Sequence, residues 1–223
     1  MNECWKSILT HSSMIQAISQ GCSDRRLYII YLIETYHYTR HNAKNQALVA
    51  VRFEGESNPY FQFCLHHAAD EAGHELMALH DLKKLGIDPQ AVITSEPLAA
   101  TEVLIAYLYW ISVQGNPYQR LGYSFWAENC YQSIDAVLKA IQKQMTLTLK
   151  EMTFFTEHAT LDKKHAEMVH QMISKIATTE QTWNDIERVM QRSLMLTGKI
   201  LDDVYEEYQK LVTRGSSRYS FLE

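Results

Sequence analysis

Apolar side chains in the last third of the chain recur at the spacing of an α-helix. Phe154, Leu161, Met168 and Met172 fall on one side of a helix that turns by about 100° per residue. Glycine and proline number only 8 and 4 among 223 residues. This scarcity excludes a β-sandwich or barrel, because those folds need turn residues every ~8–12 positions. The pattern therefore predicts long helices joined by few turns.

The few helix breakers and capping residues predict where these helices begin and end. Asn58-Pro59 and Asn116-Pro117 each place an N-cap residue before a proline at the first helical position. A glycine closes several segments, as Gly21 does for the first. The predicted helical segments are 3–20, 25 into the fifties, 59–85, a short piece from 89, 97–115, 117 to about 147, 151–176 and 180–212.

Composition and charge narrow the class of protein. Hydrophobic residues reach 46%, which predicts one large core, so we expect an all-α, seven-helix single domain over 1–213 and a flexible tail over 214–223. A net charge of −5 without a basic stripe predicts no nucleic-acid partner. The most apolar stretch, 98–113, is interrupted by Thr101 and Glu102 and is too short to span a bilayer, so no membrane association is expected.

The cysteines and the first residues predict the cellular compartment. Cys4, Cys22, Cys64 and Cys130 are far apart and form no CxxC pair, which is typical of reduced thiols inside the cell. The N-terminal residues show no basic segment followed by an apolar run, so no secretion signal is predicted. We therefore expect a cytoplasmic protein.

Three polar side chains interrupt the apolar face of the predicted helix 151–176. His158, Asp162 and His165 stand at i, i+4 and i+7, which places them at roughly 0°, 40° and −20° around the axis. Burying three such groups on a core face is costly unless something satisfies them, and a divalent metal ion does so. The alternative is a solvated helix face.

A second cluster repeats this spacing. His67, Glu71 and His74 stand at i, i+4 and i+7, and two such helices facing one another can supply ligands to two metal ions. Nitrogen and oxygen ligands without thiolate favour iron or manganese over zinc. Glu128, in an aromatic-rich segment, offers a further carboxylate, although a paired core carboxylate is an equal alternative. The helix from 25 onward adds Glu34 and His37 in a Glu-x-x-His motif.

These motifs together resemble one family. FTEH-x3-D-x2-HA, the isolated glutamate before it, and DE-x2-H followed by LG and DP resemble the haem-oxygenase-like diiron oxidases over about residues 25–212. The resemblance implies the seven-helix fold shared with thiaminase-II and pyrroloquinoline-quinone-synthase proteins. Carried over by position, the implied metal ligands are Glu71, His74, Glu128, His158, Asp162 and His165. The last carboxylate varies among relatives, so Glu34, His67 and His37 stay candidates for an extra ligand or a hydrogen-bond partner of one.

The function implied by the resemblance is an O2-dependent oxidase or oxygenase with two ferrous ions, with manganese as an alternative metal. Its substrate would be a small molecule of a biosynthetic pathway, such as an amino acid, an amine or a fatty acid. Reactions in the family include N-oxygenation, oxidative C–C cleavage and nitrile formation. An external electron donor is a candidate partner, and a homodimer is a candidate assembly.

Aromatic side chains near the predicted ligands are candidates for the substrate-binding wall, although residues at helical spacing more often form core. Arg40 is a candidate for holding a substrate carboxylate, with a solvated surface role as its alternative. The full set of substrate-binding candidates is Tyr31, Tyr38, Trp126, Tyr131 and Arg40.

Three rival functions remain open at this point. A thiaminase-II-like hydrolase would use Cys130 as its nucleophile, but its chemistry gives no role to the H-x3-D-x2-H motif. A metal-free oxidase resembling quinone-cofactor synthase leaves the carboxylates unexplained. A helical interaction module without enzymatic activity treats the histidines as incidental.

Overall fold

The computed structural model describes residues 1–55 and 57–222, and the side chains of 158–163 lie outside that description. The described part contains α-helices and three short 3-10 helices and no strand, which confirms the predicted all-α class. In chain order the helices are α1 (Asn2–His11), α2 (Ser13–Ser19), α3 (Arg25–Thr39), α4 (Asn42–Ala50), α5 (Pro59–Glu71), α6 (Glu75–Lys84), α7 (Pro89–Thr94), α8 (Ala99–Val113), α9 (Leu121–Asn129), α10 (Tyr131–Gln144), α11 (Thr153–Ile176) and α12 (Glu180–Val212). The 3-10 helices are Pro117–Arg120, Leu149–Glu151 and Ser220–Leu222.

The described part holds twelve α-helices rather than the predicted seven, because four of the eight predicted helical segments are each divided in two. Ser12 separates α1 from α2 with extended backbone, and its side chain caps α2. Gly73 adopts a φ of +93° between α5 and α6, a conformation that glycine reaches without steric cost. The other two breaks lie at residues 40–41 and at Cys130. None of these breaks contains proline, so the sequence pattern predicted one continuous helix across each of them.

The predicted start at Asn58-Pro59 is confirmed. Pro59 is the first residue of α5, and the Oδ1 of Asn58 accepts a hydrogen bond of 2.8 Å from the backbone N–H of Tyr60. This capped start matters because α5 carries two of the side chains of the candidate site. The predicted segment 180–212 coincides with α12.

The core forms around α12, which packs against α2, α3, α8 and α9. Its buried side chains Val189, Leu194 and Val204 join Ile30 and Leu108 in one continuous cluster. The contact between α9 and α12 is especially close, because a Cβ on Gly122 would lie 2.1 Å from the backbone oxygen of Ile186. Glycine there lets the two backbones touch and fixes the position of α9.

The most apolar predicted stretch becomes α8, which is 15 residues long and buries one side against α3, α4 and α12. Among the described helices, none has both the length and the apolar character needed to cross a bilayer.

The C-terminal residues differ from the predicted flexible tail. Tyr219 is fully buried, and its hydroxyl donates a hydrogen bond to Oε1 of Glu34. The Ser217 hydroxyl donates to Oε1 of Glu207 at 2.7 Å, which ties the segment to α12. RGSSRYSFLE is mostly polar, which favours a flexible tail, whereas one buried aromatic side chain anchors it in the core.

Candidate metal centre

Four buried side chains from three helices meet at one point inside the bundle. His67 and Glu71 lie one turn apart on α5, Glu128 lies near the end of α9, and His165 lies in the middle of α11. Each offers one nitrogen or oxygen, and these four atoms lie within 4.8 Å of one another. The i, i+4 spacing on α5 puts His67 and Glu71 on the same face, so the helix presents both to α9 and α11. We call these four residues the metal cluster.

The contacts within the metal cluster leave imidazole nitrogens that could bind a metal ion. His67 Nε2 lies 3.1 Å from Oε1 of Glu128, and His165 Nδ1 lies 3.5 Å from Oε2 of Glu128 and 3.7 Å from Oε1 of Glu71. Among the described residues, the buried Nδ1 of His67 has no hydrogen-bond partner, and the buried Nδ1 of His165 has only its two long contacts with Glu128 and Glu71. Buried polar atoms without a partner are rare in native proteins. A metal ion among these donors would satisfy them, so the residues present fit such a group.

The electrostatics show that the cluster favours charged side chains despite its burial. Burial raises the pKa of Glu128, but hydrogen bonds from His165 and His67 outweigh it and lower that pKa to about 2. The hydrogen bond with Glu128 raises the pKa of His165 to about 9 against the opposing effect of burial. The carboxylates therefore stay ionised, and positive charge must accompany them as imidazole protons or as a bound cation.

His74 lies at the edge of the cluster. It precedes α6 in the turn that Gly73 opens, and its Nδ1 lies 3.4 Å from Oε1 of Glu71. This contact raises the pKa of His74, and it lowers the pKa of Glu71 although burial acts in the opposite direction. His158 and Asp162, the other two predicted ligands, belong to α11, and their side chains lie outside the described residues.

Glu34 and His37 are not part of the metal cluster. Oε2 of Glu34 accepts a hydrogen bond of 3.0 Å from the backbone N–H of Leu98, while Oε1 accepts the hydroxyl of Tyr219. His37 Nε2 lies 3.0 Å from the hydroxyl of Ser95. These two candidates for an extra ligand or its hydrogen-bond partner therefore lie outside the metal cluster, since both face the α7–α8 junction.

A cavity of about 120 Å³ opens beside the cluster and is walled by His67, Glu71 and Glu128 on that side. One water needs only ~10–15 Å³ by the same kind of measure, so the cavity admits a small organic molecule. Cys130, the nucleophile of the hydrolytic alternative, lies on its wall. The wall also includes four of the five substrate-binding candidates, Tyr31, Tyr38, Trp126 and Tyr131.

The fifth candidate, Arg40, lies elsewhere, with its guanidinium 5.3 Å from the centre of the Tyr36 ring. A different arginine, Arg120, belongs to the cavity wall, and it is only 2% exposed. Sequence reasoning missed this residue. The available signal was an arginine inside the aromatic-rich segment YQRLGYSFW, directly before the helix that carries Glu128.

Comparison with known proteins identifies a family and a fold for the chain. A family model described as iron-containing redox enzyme matches residues 29–197. A crystal structure of a domain of unknown function with a haem oxygenase-like fold from Shewanella denitrificans is 53% identical, with a TM-score of 0.93 over 97% of this chain and 94% of that one. The predicted resemblance to haem-oxygenase-like proteins is thereby confirmed.

More distant structures share the fold alone. A TenA homologue from P. horikoshii is 13% identical, with a TM-score of 0.67 over 92% of this chain and 94% of that one. A TenA homologue from Pseudomonas syringae pv. tomato is 12% identical, with a TM-score of 0.75 over 92% of this chain and 90% of that one. Among curated proteins, none matches the chain.

Proposed function

The chain belongs to the family of iron-containing redox enzymes, and we propose that it is a non-haem, dinuclear-iron oxidase or oxygenase that uses O2 to act on a small molecule. The observation that carries this proposal is the metal cluster: two imidazoles and two carboxylates, all buried, with their ligand atoms within 4.8 Å of one another. The adjoining cavity supports a small molecule as the substrate.

The chemistry of the donors supports iron. The cluster contains nitrogen and carboxylate oxygen and no thiolate, a set that suits iron or manganese. Two metal ions need more ligands than the cluster supplies, and His74, His158 and Asp162 are the residues we propose for the remainder. His74 already contacts Glu71. On α11, Asp162 precedes His165 by about one turn and His158 precedes it by about two turns.

When bound, ferrous iron would supply electrons and open coordination positions for O2. The protein's own residues hold the donors in place: Glu128 joins the imidazoles of α5 and α11, and Glu71 joins the imidazoles of His74 and His165. Burial of all four cluster residues limits the access of water to the reacting centre. His165 holds a proton at neutral pH and releases it on becoming a ligand, so metal loading should release protons and tighten as pH rises.

Anaerobic loading with ferrous iron tests the proposal. We expect the chelator-treated full chain to bind up to about two irons per chain, with a Mössbauer spectrum that changes on exposure to O2. His67→Ala should lose most of this iron, because it removes a buried donor of the cluster.

His66→Ala is the matched control, since His66 is the neighbouring residue on α5 and its side chain is exposed. Fewer than about one iron per chain, or equal iron loss in the two variants, would contradict the proposal. A metal-free oxidase and an interaction module both predict that result.

A further inference from the structure

We infer that the cavity beside the metal cluster binds a monocarboxylate with an apolar body, and that Arg120 receives its carboxylate. The inference rests on the proposed function only in treating this cavity as the substrate site. It rests otherwise on one buried cation and on the apolar wall opposite it.

Arg120 is a buried cation with neutral partners. Its Nε donates a hydrogen bond of 2.9 Å to Oδ1 of Asn45, and its Nη1 donates one of 2.9 Å to the hydroxyl of Ser124. The guanidinium carbon lies 4.5 Å from the centre of the Tyr123 ring. An arginine stays protonated in proteins, so a full positive charge is held here among neutral groups.

No carboxylate among the described side chains lies within 4.0 Å of the Arg120 guanidinium. Glu71, the acid whose charge acts on Arg120, contacts the imidazoles of His74 and His165. The second terminal nitrogen, Nη2, makes no hydrogen bond to the described residues. A buried cation without a counterion is unfavourable, and a guanidinium is well shaped to receive a carboxylate.

The rest of the cavity wall selects an apolar body. Helices α1, α2, α10 and α12 contribute Leu9, Ile15, Ile134, Leu138 and Leu201 to it. Apart from the metal cluster, Arg120 is the one charged side chain that the described wall contains. A substrate amine would meet no unengaged acid there, whereas a carboxylate would meet Arg120.

Calorimetric binding of matched ligands tests this inference in the full chain after chelator treatment. Octanoate carries both features, octanol and octylamine replace the carboxylate, and acetate removes the apolar body. We expect octanoate to bind at least ~10-fold more tightly than each of the other three. Equal binding of octanol or octylamine, or no binding of octanoate without metal, would overturn the inference.

Two variants then test whether Arg120 or Arg40 binds the carboxylate. Arg120→Gln should weaken octanoate at least ~10-fold while leaving octanol unchanged, and Arg40→Gln should change neither. Unchanged octanoate affinity in a folded Arg120→Gln protein would overturn the inference. If that variant fails to fold, the ligand series in the unmodified chain still decides.

The outcome is independent of the iron test. Octanoate that binds only after iron loading indicates a carboxylate on the metal, so Arg120 is excluded while the proposed function stands. If octanoate binds through Arg120 but the chain takes up no iron on anaerobic loading, this inference stands and the proposed function is removed.

Discussion

Two regions of this molecule bury a glutamate and a histidine, and they shift the pKa values of these groups in opposite directions. On α3, burial raises the pKa of Glu34 and lowers that of His37 to about 4, so both tend toward neutrality. In the metal cluster, Glu128 and His165 shift the other way, to about 2 and about 9. Burial is similar in the two regions, so the partners decide.

The partners differ in what they leave unsatisfied. Glu34 accepts hydrogen bonds from Leu98 and Tyr219, which are neutral and belong to the protein. The carboxylates of the cluster face imidazoles instead, and buried imidazole nitrogens there lack partners among the described residues. Nδ1 of His37 also lacks a partner among the described residues, but both oxygens of Glu34 are satisfied by the protein, whereas Glu128 contacts imidazole nitrogens directly. A buried carboxylate therefore indicates a metal site only when nitrogen donors accompany it.

The largest expected effect separates the two regions directly. Glu128→Gln should lower ferrous iron affinity by at least ~100-fold, because it removes a charged ligand that also orients two imidazoles. Glu34→Gln, the matched buried control, should leave iron affinity unchanged. Anaerobic titration against a competing chelator measures the iron affinity of both variants. Equal losses of affinity would contradict the proposed difference between the two regions.

The lowered pKa of His37 predicts how the stability of the fold depends on pH. His37 has a folded pKa of about 4, below the ordinary 6.5, so the unfolded chain takes up a proton first as pH falls. Stability from this group is therefore complete above pH 6.5 and declines toward pH 4, by up to ~3 kcal/mol.

Urea unfolding of the unmodified chain and of His37→Gln across that pH range measures the contribution. The variant should show the shallower decline, while His66→Gln, an exposed histidine, should keep the original one. Identical slopes in all three proteins would remove His37 as the cause.

Tyr219→Phe should destabilise the α3 region without touching the cluster. It deletes the donor to Glu34 and leaves a buried carboxyl oxygen unsatisfied, which costs about 1–3 kcal/mol. Chemical denaturation should register this loss, and iron affinity should not change. Tyr205→Phe serves as the control because Tyr205 is only partly buried. Lower iron affinity in Tyr219→Phe would mean that the regions are coupled.

The smallest effect lies at the rim of the cluster. Asp70 Oδ2 is 3.4 Å from Nε2 of His165, but its side chain is 48% exposed. Exposed pairs contribute at most ~1 kcal/mol, so Asp70→Asn should change iron affinity by less than about fivefold. A loss as large as that of Glu128→Gln would place Asp70 among the ligands.

Much of this organisation was predictable because it depends on local physics. The N-cap at Asn58, the proline after it and the uninterrupted pattern of 180–212 act within one or two turns, and the structure has the start of α5 and the whole of α12 where the pattern put them. The break at Gly73 was missed, because glycine inside a helical pattern is ambiguous until the chain on either side is packed.

The candidate site was harder to predict for the same reason. Glu34-x-x-His37 and Glu71-x-x-His74 have identical spacing, and spacing reports only which side chains share a helix face. Their fates differ because α3 faces the α7–α8 junction and Tyr219, whereas α5 faces α9 and α11. No local pattern contains that information.

The sequence by itself determined an all-α protein, most of the helix starts, and the chemistry available on each helix face. Tertiary structure alone decided that His67 rather than Glu34 or His37 joins Glu71, Glu128 and His165, and that Arg120 rather than Arg40 borders the cavity. Helix formation depends on neighbours three and four residues apart, whereas a metal centre depends on the packing of helices that are distant in the chain.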